Sequence, residues 1–541
     1  MPAETVGSVL AAALRRAGDR VALRAHGDVR THRELLENSA RFAHALAGQG
    51  LRPGDQVALM VGDRVEAVEA YLGCLLGGFP AVHVNDRLVG NEVASILADA
   101  DARAFVYTGD VAPKIADLAA VAATEVVVAL GERAQGRHRG FTDLLAAASP
   151  AVPTVERGPD DLAIIGYTSG TTGQPKGVMH TQLTLLRIVR HMPVHFDIRP
   201  GSRCAFTGTL SFVAGIWGVL LPHLYLGGEV SFLAGLPPDA WFDAMVEQGS
   251  NFTYVPTPLA GAFIEQVRRR PRVLDTLRVA MHSGSKMPAA TVRAVVDVIG
   301  SRFGEAYGMT ESGAPVTRTE SADWTPACAA DDVYASTGRP VHIADVSIVD
   351  TNGDPVPVGE TGEITISSDT QFVGYYQRPE LTTESMLDGR LRTGDIGRLD
   401  AAGYLYVTDR AKDMVVSGGM NVYPAEVEAA LAGVSGLAEV AVFGVPDARW
   451  GEAVVAVVVA SDPALDEAAV IRAARERIAS YKKPTQVRFV DALPRTASLK
   501  IDKPALRRAW AATDRSADSA VRSAPSDATG TTDAVGEATV D

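Results

Sequence analysis

Cysteine is scarce in this chain. It has three, Cys74, Cys204 and Cys328, far apart and odd in number. That leaves no disulfide framework and no paired-cysteine metal spacing, and a reducing, cytoplasmic compartment is the simplest expectation. Positive charge is also short, and the net charge is −14 at pH 7. A nucleic-acid-binding face needs clustered basic residues and is not expected; a local basic site for a small phosphate-bearing molecule is compatible with this balance. The first residues, MPAETVGSVLAAALRRAGDR, carry no basic stretch ahead of their apolar run. They read as an amphipathic helix rather than a signal peptide. Residues 205–228 have no Asp, Glu, Lys or Arg, but they contain Pro222, His223 and five glycines. A buried core segment is expected there rather than a bilayer span.

What is present is ordinary for a globular protein: 47 % hydrophobic and 21 % charged residues over 541 positions. Size alone calls for roughly three or four core-forming units. Strand-like and helix-like segments alternate through the first part, as in NEVASILADAD, VYTGD, TEVVVAL and LAIIGYTSG. Such alternation implies α/β sheets, largely parallel, with ligands at the carboxyl ends of strands. From about residue 335, VSIVDTNGDPVPVGETGEITISS reads as two strands around polar turns, a β-rich subdomain to about 409. A smaller α+β unit follows over 410–510, with strands LAEVAVFGV and AVVAVVVA and a helix placing Val470, Ala474 and Ile478 on one face. Residues 511–541 have no aromatic, Leu or Ile, so disorder is expected.

The chemistry concentrates in YTSGTTGQPKGV at 167–178. Glycines bring backbone N–H groups close to a ligand, hydroxyls add donors and a lysine adds a point charge, all suited to phosphate. The spacing is not that of the common nucleotide loop, which needs Gly, four residues, then Gly-Lys-Ser/Thr; here Lys176 precedes Gly177. Four more stretches follow in order: EAYGMTES at 305–312, RTGDIG at 392–397, DRAKDMVVSGGMNVYP at 409–424 and PRTASLKI at 494–501.

Together these motifs resemble those of the adenylate-forming superfamily, which includes acyl-CoA synthetases, luciferases and peptide-synthetase adenylation domains. The resemblance covers about residues 5–510 and is greatest to fatty-acid and aryl-acid CoA ligases. It implies a large N-terminal domain, 1–409, and a small mobile C-terminal domain that pivots at Lys412. It implies ATP, Mg²⁺ and coenzyme A. Thr168, Ser169, Gly170, Thr171, Thr172, Gly173 and Lys176 would clamp the β- and γ-phosphates. Tyr307 and Gly308 would border adenine, Thr310 the α-phosphate, and Glu311 would hold Mg²⁺. Asp395 and Arg410 would take the ribose. Gly418, Gly419 and Met420 would line the thiol's path. Lys500 would meet the α-phosphate and the acid; Leu499 stands where relatives usually have glycine.

By the same resemblance Phe212, Trp217, Ser283, Gly284 and Ser285 would border the acid, with plain core packing an equal reading of Trp217. Lys286 is read as solvent-facing, with a contact to a second carboxylate on the acid as the alternative. The implied reaction has two steps. A carboxylate and ATP give acyl-AMP and pyrophosphate, then a thiol gives the thioester and AMP. The expected acid is fatty or aryl and the expected thiol is CoA. Loading of a separate carrier protein is the alternative, and no integral membrane insertion or nucleic-acid partner is expected.

Overall fold

The computed structural model describes residues 4–522 except 117, 132–136, 169–174, 326, 329, 411–412, 418–419, 448–449 and 497–499. The chain divides into two units, Met1–Lys412 and Asp413–Asp541.

Three sheets build the larger unit. In the first, Arg139–Gly140, Val126–Leu130, Ala104–Thr108, Val57–Met60, Ala81–His83 and Leu162–Thr168 lie side by side and parallel, and Lys176–Thr181 closes the edge antiparallel. The valine-rich runs suit strands covered on both faces. The second sheet has nine strands. Its parallel centre runs Val21–Ala25, Glu229–Phe232, Arg203–Phe206, Phe252–Tyr254, Val279–His282 and Phe303–Tyr307. One hydrophobic cluster joins both sheets to the helices Val6–Ala17, His32–Gly48 and Val65–Gly77, through Leu10, Phe42, Tyr71, Leu59 and Phe252. The helix His32–Gly48 starts where its sequence says it should: Thr31 and Glu34 form a reciprocal capping box.

The third sheet is antiparallel, with strands Ala344–Val349, Gly362–Ser368, Met386–Leu387, Arg390–Leu399 and Leu405–Arg410. Residues 205–228 end one strand and then form the short helical turns Val213–Gly215, Ile216–Leu220 and Leu221–Tyr225. Ile216, Trp217, Leu220 and Leu224 are buried among core residues. Among the described residues no helix is long and apolar enough to cross a membrane.

In the smaller unit, Val415–Ser417, Met420–Val422, Leu437–Asp447, Gly451–Ala460 and Gln486–Phe489 form one sheet. Val470 and Ala474 of the helix Glu467–Arg477 are buried against it, while Ile478 lies just beyond the helix and half-buried. The helix Lys503–Arg522 continues past residue 510, where disorder is expected from composition. The two observations concern different physics. Leu506 and Trp510 anchor the helix in the core, and Ala511 and Ala512, both exposed, then favour helical backbone by propensity. Residues 523–541 lie outside the described residues.

Candidate active site

The carboxyl ends of the parallel strands collect the side chains singled out by sequence. Thr168, His282 and Tyr307 are each the last residue of a strand. Tyr307 leads through Gly308 into a tight turn, Thr310–Ser312. A Cβ at position 308 would sit 3.0 Å from Pro315 Cα and 3.1 Å from the Ala314 carbonyl, so any larger residue would push on the backbone of the turn. The turn is pinned from outside. Phe372 N–H donates to the Glu311 carbonyl at 2.8 Å, and Thr370 Oγ1 donates to the Ser312 carbonyl at 2.8 Å.

Two buried carboxylates result. Glu311 is 3 % exposed and Asp395 4 %. Asp395 faces Arg410 in register across the antiparallel strands. Its Oδ1 meets Arg410 Nε at 2.6 Å and its Oδ2 accepts from the Tyr307 hydroxyl at 2.6 Å. Burial and the Asp395 charge push the Tyr307 phenol well above its ordinary value, so it stays a donor. Glu311 Oε1 accepts from the Tyr375 hydroxyl at 2.8 Å and meets Lys176 Nζ at 3.2 Å. Burial, then the Glu311 charge, likewise raise the Tyr375 phenol.

Thr168 lies near the same strand end, and its hydroxyl oxygen is buried with no partner among the described residues. Thr310 and Trp217 meet around Gly166: a Cβ there would lie 3.1 Å from Thr310 Cγ2, 3.2 Å from Val213 Cγ1 and 3.5 Å from Trp217. Trp217 is 1 % exposed and packs its edge on His180, so it supports the Thr310 turn from within the core.

The segment expected to border the acid is fastened by residues that carry no motif. Asp63 accepts from Leu210 N–H at 2.6 Å, and His83 Nε2 contacts the Ser211 carbonyl at 2.8 Å while its Nδ1 meets the Tyr71 hydroxyl. Burial raises the Asp63 carboxyl to about 6 and lowers His83 to about 4. Phe212 follows, half-buried, under the Arg87 guanidinium at 5.5 Å. Further along, the Tyr254 hydroxyl donates to the Ser283 carbonyl at 2.8 Å. Glu305 meets His282 Nδ1 at 2.8 Å, His282 Nε2 meets Thr257 Oγ1 at 3.0 Å, and Thr257 Oγ1 meets Ser285 Oγ at 3.0 Å. Gly284 between these serines has φ +81°. Lys286 is exposed, yet its ammonium donates to the Val407 carbonyl at 2.9 Å, so it is tied to the protein rather than only solvated.

Ser169, Gly170, Thr171, Thr172, Gly173, Lys412, Gly418, Gly419 and Leu499 lie outside the described residues. Met420 opens a strand of the smaller unit and is 48 % exposed. Lys500 is exposed, and its carbonyl accepts from Thr496 N–H at 2.8 Å. Tyr375, Tyr254, Thr257, His282, Glu305, Asp63 and His83 were not apparent from sequence. The signal that could have found three of them is position, since Tyr254, His282 and His83 each end a strand.

A family profile described as "AMP-binding enzyme" matches residues 10–376, and one described as "AMP-binding enzyme C-terminal domain" matches residues 426–500. The chain is 36 % identical over 488 residues to a feruloyl-CoA synthase of Amycolatopsis sp., covering 90 % of this chain and 95 % of the relative. It is 33 % identical over 495 residues to the long-chain-fatty-acid–CoA ligase FadD13 of Mycobacterium tuberculosis, covering 90 % and 94 %. The solved structure of ATP-bound MatB from Rhodopseudomonas palustris matches with TM-score 0.82 at 30 % identity, covering 92 % of this chain and 99 % of that one.

Proposed function

The chain belongs to the AMP-binding enzymes and is an ATP-dependent acid–CoA ligase; from that premise we propose how its residues divide the work and which acid they accept. The observation that carries the assignment is the pair of buried carboxylates, each beside a phenol and a cation, at one cluster of strand ends.

Asp395 is assigned the ribose. A carboxylate offers about four acceptor positions. Arg410 and Tyr307 fix its orientation, and a carboxylate so held can accept from the hydroxyls of a cis-diol. Glu311 is assigned the metal. Mg²⁺ takes one or two protein carboxylates and completes its shell with phosphate oxygens and water, and Glu311 is a hard oxygen ligand beside Lys176. When bound, the ion would neutralise charge on the triphosphate. Lys176 and the loop 168–173 are assigned the β- and γ-phosphates. Thr310 and Lys500 are assigned the α-phosphate, where attack by the acid's carboxylate builds negative charge and displaces pyrophosphate. An ammonium and a hydroxyl held at that point would lower the barrier without moving at the moment of reaction. In the second step the thiol of CoA attacks the carbonyl of the mixed anhydride and AMP leaves. The path past Gly418, Gly419 and Met420 is assigned to that thiol, with Lys412 as the pivot.

The acid is assigned to the wall of Phe212 and the loop 283–285. Phe212 presents an aromatic ring with the Arg87 guanidinium 5.5 Å from its centre, and the Lys286 ammonium beside the loop is held by the Val407 carbonyl. An apolar fatty or aryl carboxylate suits this wall. The test is release of AMP and pyrophosphate from Mg·ATP with short, medium and long fatty acids, benzoate- and cinnamate-type acids and dicarboxylates, each with and without CoA. CoA-stimulated AMP release with one apolar class is expected. Preference for a dicarboxylate would refute the acid assignment, and pyrophosphate release without CoA stimulation would point to a carrier-protein acceptor.

A further inference from the structure

Lys176, Tyr375 and Glu311 form a closed triangle. The ammonium donates to the phenol oxygen at 2.6 Å, the phenol donates to Glu311 Oε1 at 2.8 Å, and the ammonium lies 3.2 Å from that same oxygen. The ammonium also sits 4.2 Å from the centre of the Tyr375 ring. The three residues come from separate segments, each fixed on its own. Lys176 opens the edge strand Lys176–Thr181. Glu311 sits in the pinned turn. Tyr375 is 4 % exposed, bridges to Val178 across that edge strand, and is followed by Tyr376, whose N–H donates to the Gly177 carbonyl at 2.8 Å.

This places the cation assigned to phosphate directly on the carboxylate assigned to metal. We propose that Tyr375 is a positioning residue that holds Lys176 on Glu311 until nucleotide and metal arrive together. The proposal rests on the assignment of Lys176 to the phosphates and Glu311 to the metal. Its physical content is an exchange. A polyanion arriving without metal must draw Lys176 away and leave Glu311 as a buried, uncompensated charge beside the phosphates. A divalent cation arriving alone must share Glu311 with an ammonium at 3.2 Å. Each binary complex therefore breaks the triangle at a loss. With both ligands present, the ammonium finds phosphate as the carboxylate finds metal, and the loss is made good on both sides. Metal and triphosphate should then bind with positive coupling, typically about 5- to 150-fold, and reciprocally.

Tyr375 sharpens the test, because removing its hydroxyl changes no charge. ATP affinity would be measured by calorimetry on the full chain, without any acid, in EDTA and in excess Mg²⁺, for the unaltered protein, Tyr375→Phe and Glu311→Gln. Thermal melting would confirm that each variant is folded. In Tyr375→Phe, Lys176 is held less firmly. Metal-free ATP should bind about two- to ten-fold tighter, the worth of one hydrogen bond, and the gain from Mg²⁺ should shrink by the same factor. Glu311→Gln should tighten metal-free ATP further and abolish most of the gain from Mg²⁺. A Tyr375→Phe protein that binds metal-free ATP no tighter, with the Mg²⁺ gain intact, would overturn the role of Tyr375. If Tyr375→Phe does not fold, failure of Glu311→Gln to tighten metal-free ATP would overturn the exchange. An unaltered protein whose ATP affinity ignores Mg²⁺ would instead remove the underlying assignment of Glu311.

Discussion

The nucleotide region and the acid region both bury carboxylates, but they hold them differently. Glu311 and Asp395 each meet a phenol and a full cation. Glu305, behind the acid loop, meets the His282 imidazole, and a chain of neutral hydroxyls carries the contact onward through Thr257 to Ser285. Within the nucleotide region there is a second contrast. Arg410 and Tyr307 take separate oxygens of Asp395, so neither displaces the other. Lys176 and Tyr375 share one oxygen of Glu311. The Asp395 cluster is built to stay, the Glu311 cluster to be rearranged, and the Glu305 relay to fix a shape rather than to meet a charged ligand.

The largest effect is expected from breaking the relay at its charged end. His282 is fully buried and Glu305 5 % exposed. His282→Ala would leave the buried carboxyl without its hydrogen-bond partner, and an unsatisfied buried polar group costs about 1–3 kcal/mol, more when it is charged. Chemical denaturation at pH 8 would read this directly. The sign with pH is fixed. Burial already raises the Glu305 carboxyl above its ordinary value. In the variant the folded state therefore binds a proton more readily than the unfolded one, so the deficit shrinks as pH falls toward the ordinary carboxylate range. A deficit that grows on acidification would mean that Glu305 is not the group left exposed to the loss.

Next in size is Asp395→Ala. Hydrogen bonds to a charged acceptor are worth about 1.5–3 kcal/mol, so the KM for ATP should rise roughly ten- to 150-fold while the KM for the acid changes little. Tyr307→Phe should be milder, because Arg410 holds its own oxygen of Asp395. A rise of about two- to ten-fold in ATP dissociation constant is expected, equal with and without Mg²⁺. That is the opposite of the metal-free tightening expected for Tyr375→Phe. If the two tyrosine variants behave alike, the distinction between a fixed and an exchangeable cluster fails.

The two regions were also unequally legible in the sequence. Thr168, Lys176, Tyr307, Glu311, Asp395 and Arg410 sit in short motifs where glycine turns, hydroxyls and carboxylates lie close together in the chain, as the proposed nucleoside triphosphate ligand would require. The parallel and antiparallel sheets were legible for a similar reason, since valine-rich runs and polar turns repeat locally. Tyr375, Thr257, His282, Glu305, Asp63 and His83 act across spans of chain that no spacing rule connects; Tyr375 and Glu311, for instance, are 64 residues apart. Lys286 shows the limit well. Sequence marks it as unusual, but only the fold shows its ammonium on the Val407 carbonyl. The helix to Arg522 was missed because composition reports what can be buried, not what backbone propensity can extend.

The smallest effect tests whether the acid region is held by shape alone. Thr257 Oγ1 lies 3.0 Å from both His282 Nε2 and Ser285 Oγ. Thr257→Val keeps the volume and β-branching and removes only the hydroxyl. The His282–Glu305 pair survives it, so the protein should stay folded with a stability loss of about 1 kcal/mol. What changes is the tether on Ser285. The KM for the preferred acid should rise by a few-fold and discrimination between acids of similar size should relax, while the KM for ATP stays as it was. Thr257→Ser, which restores the hydroxyl, should restore both. If Thr257→Val shifts the ATP constant instead, or Thr257→Ser fails to rescue acid selection, the relay supports the nucleotide floor and the division between the two regions is drawn in the wrong place.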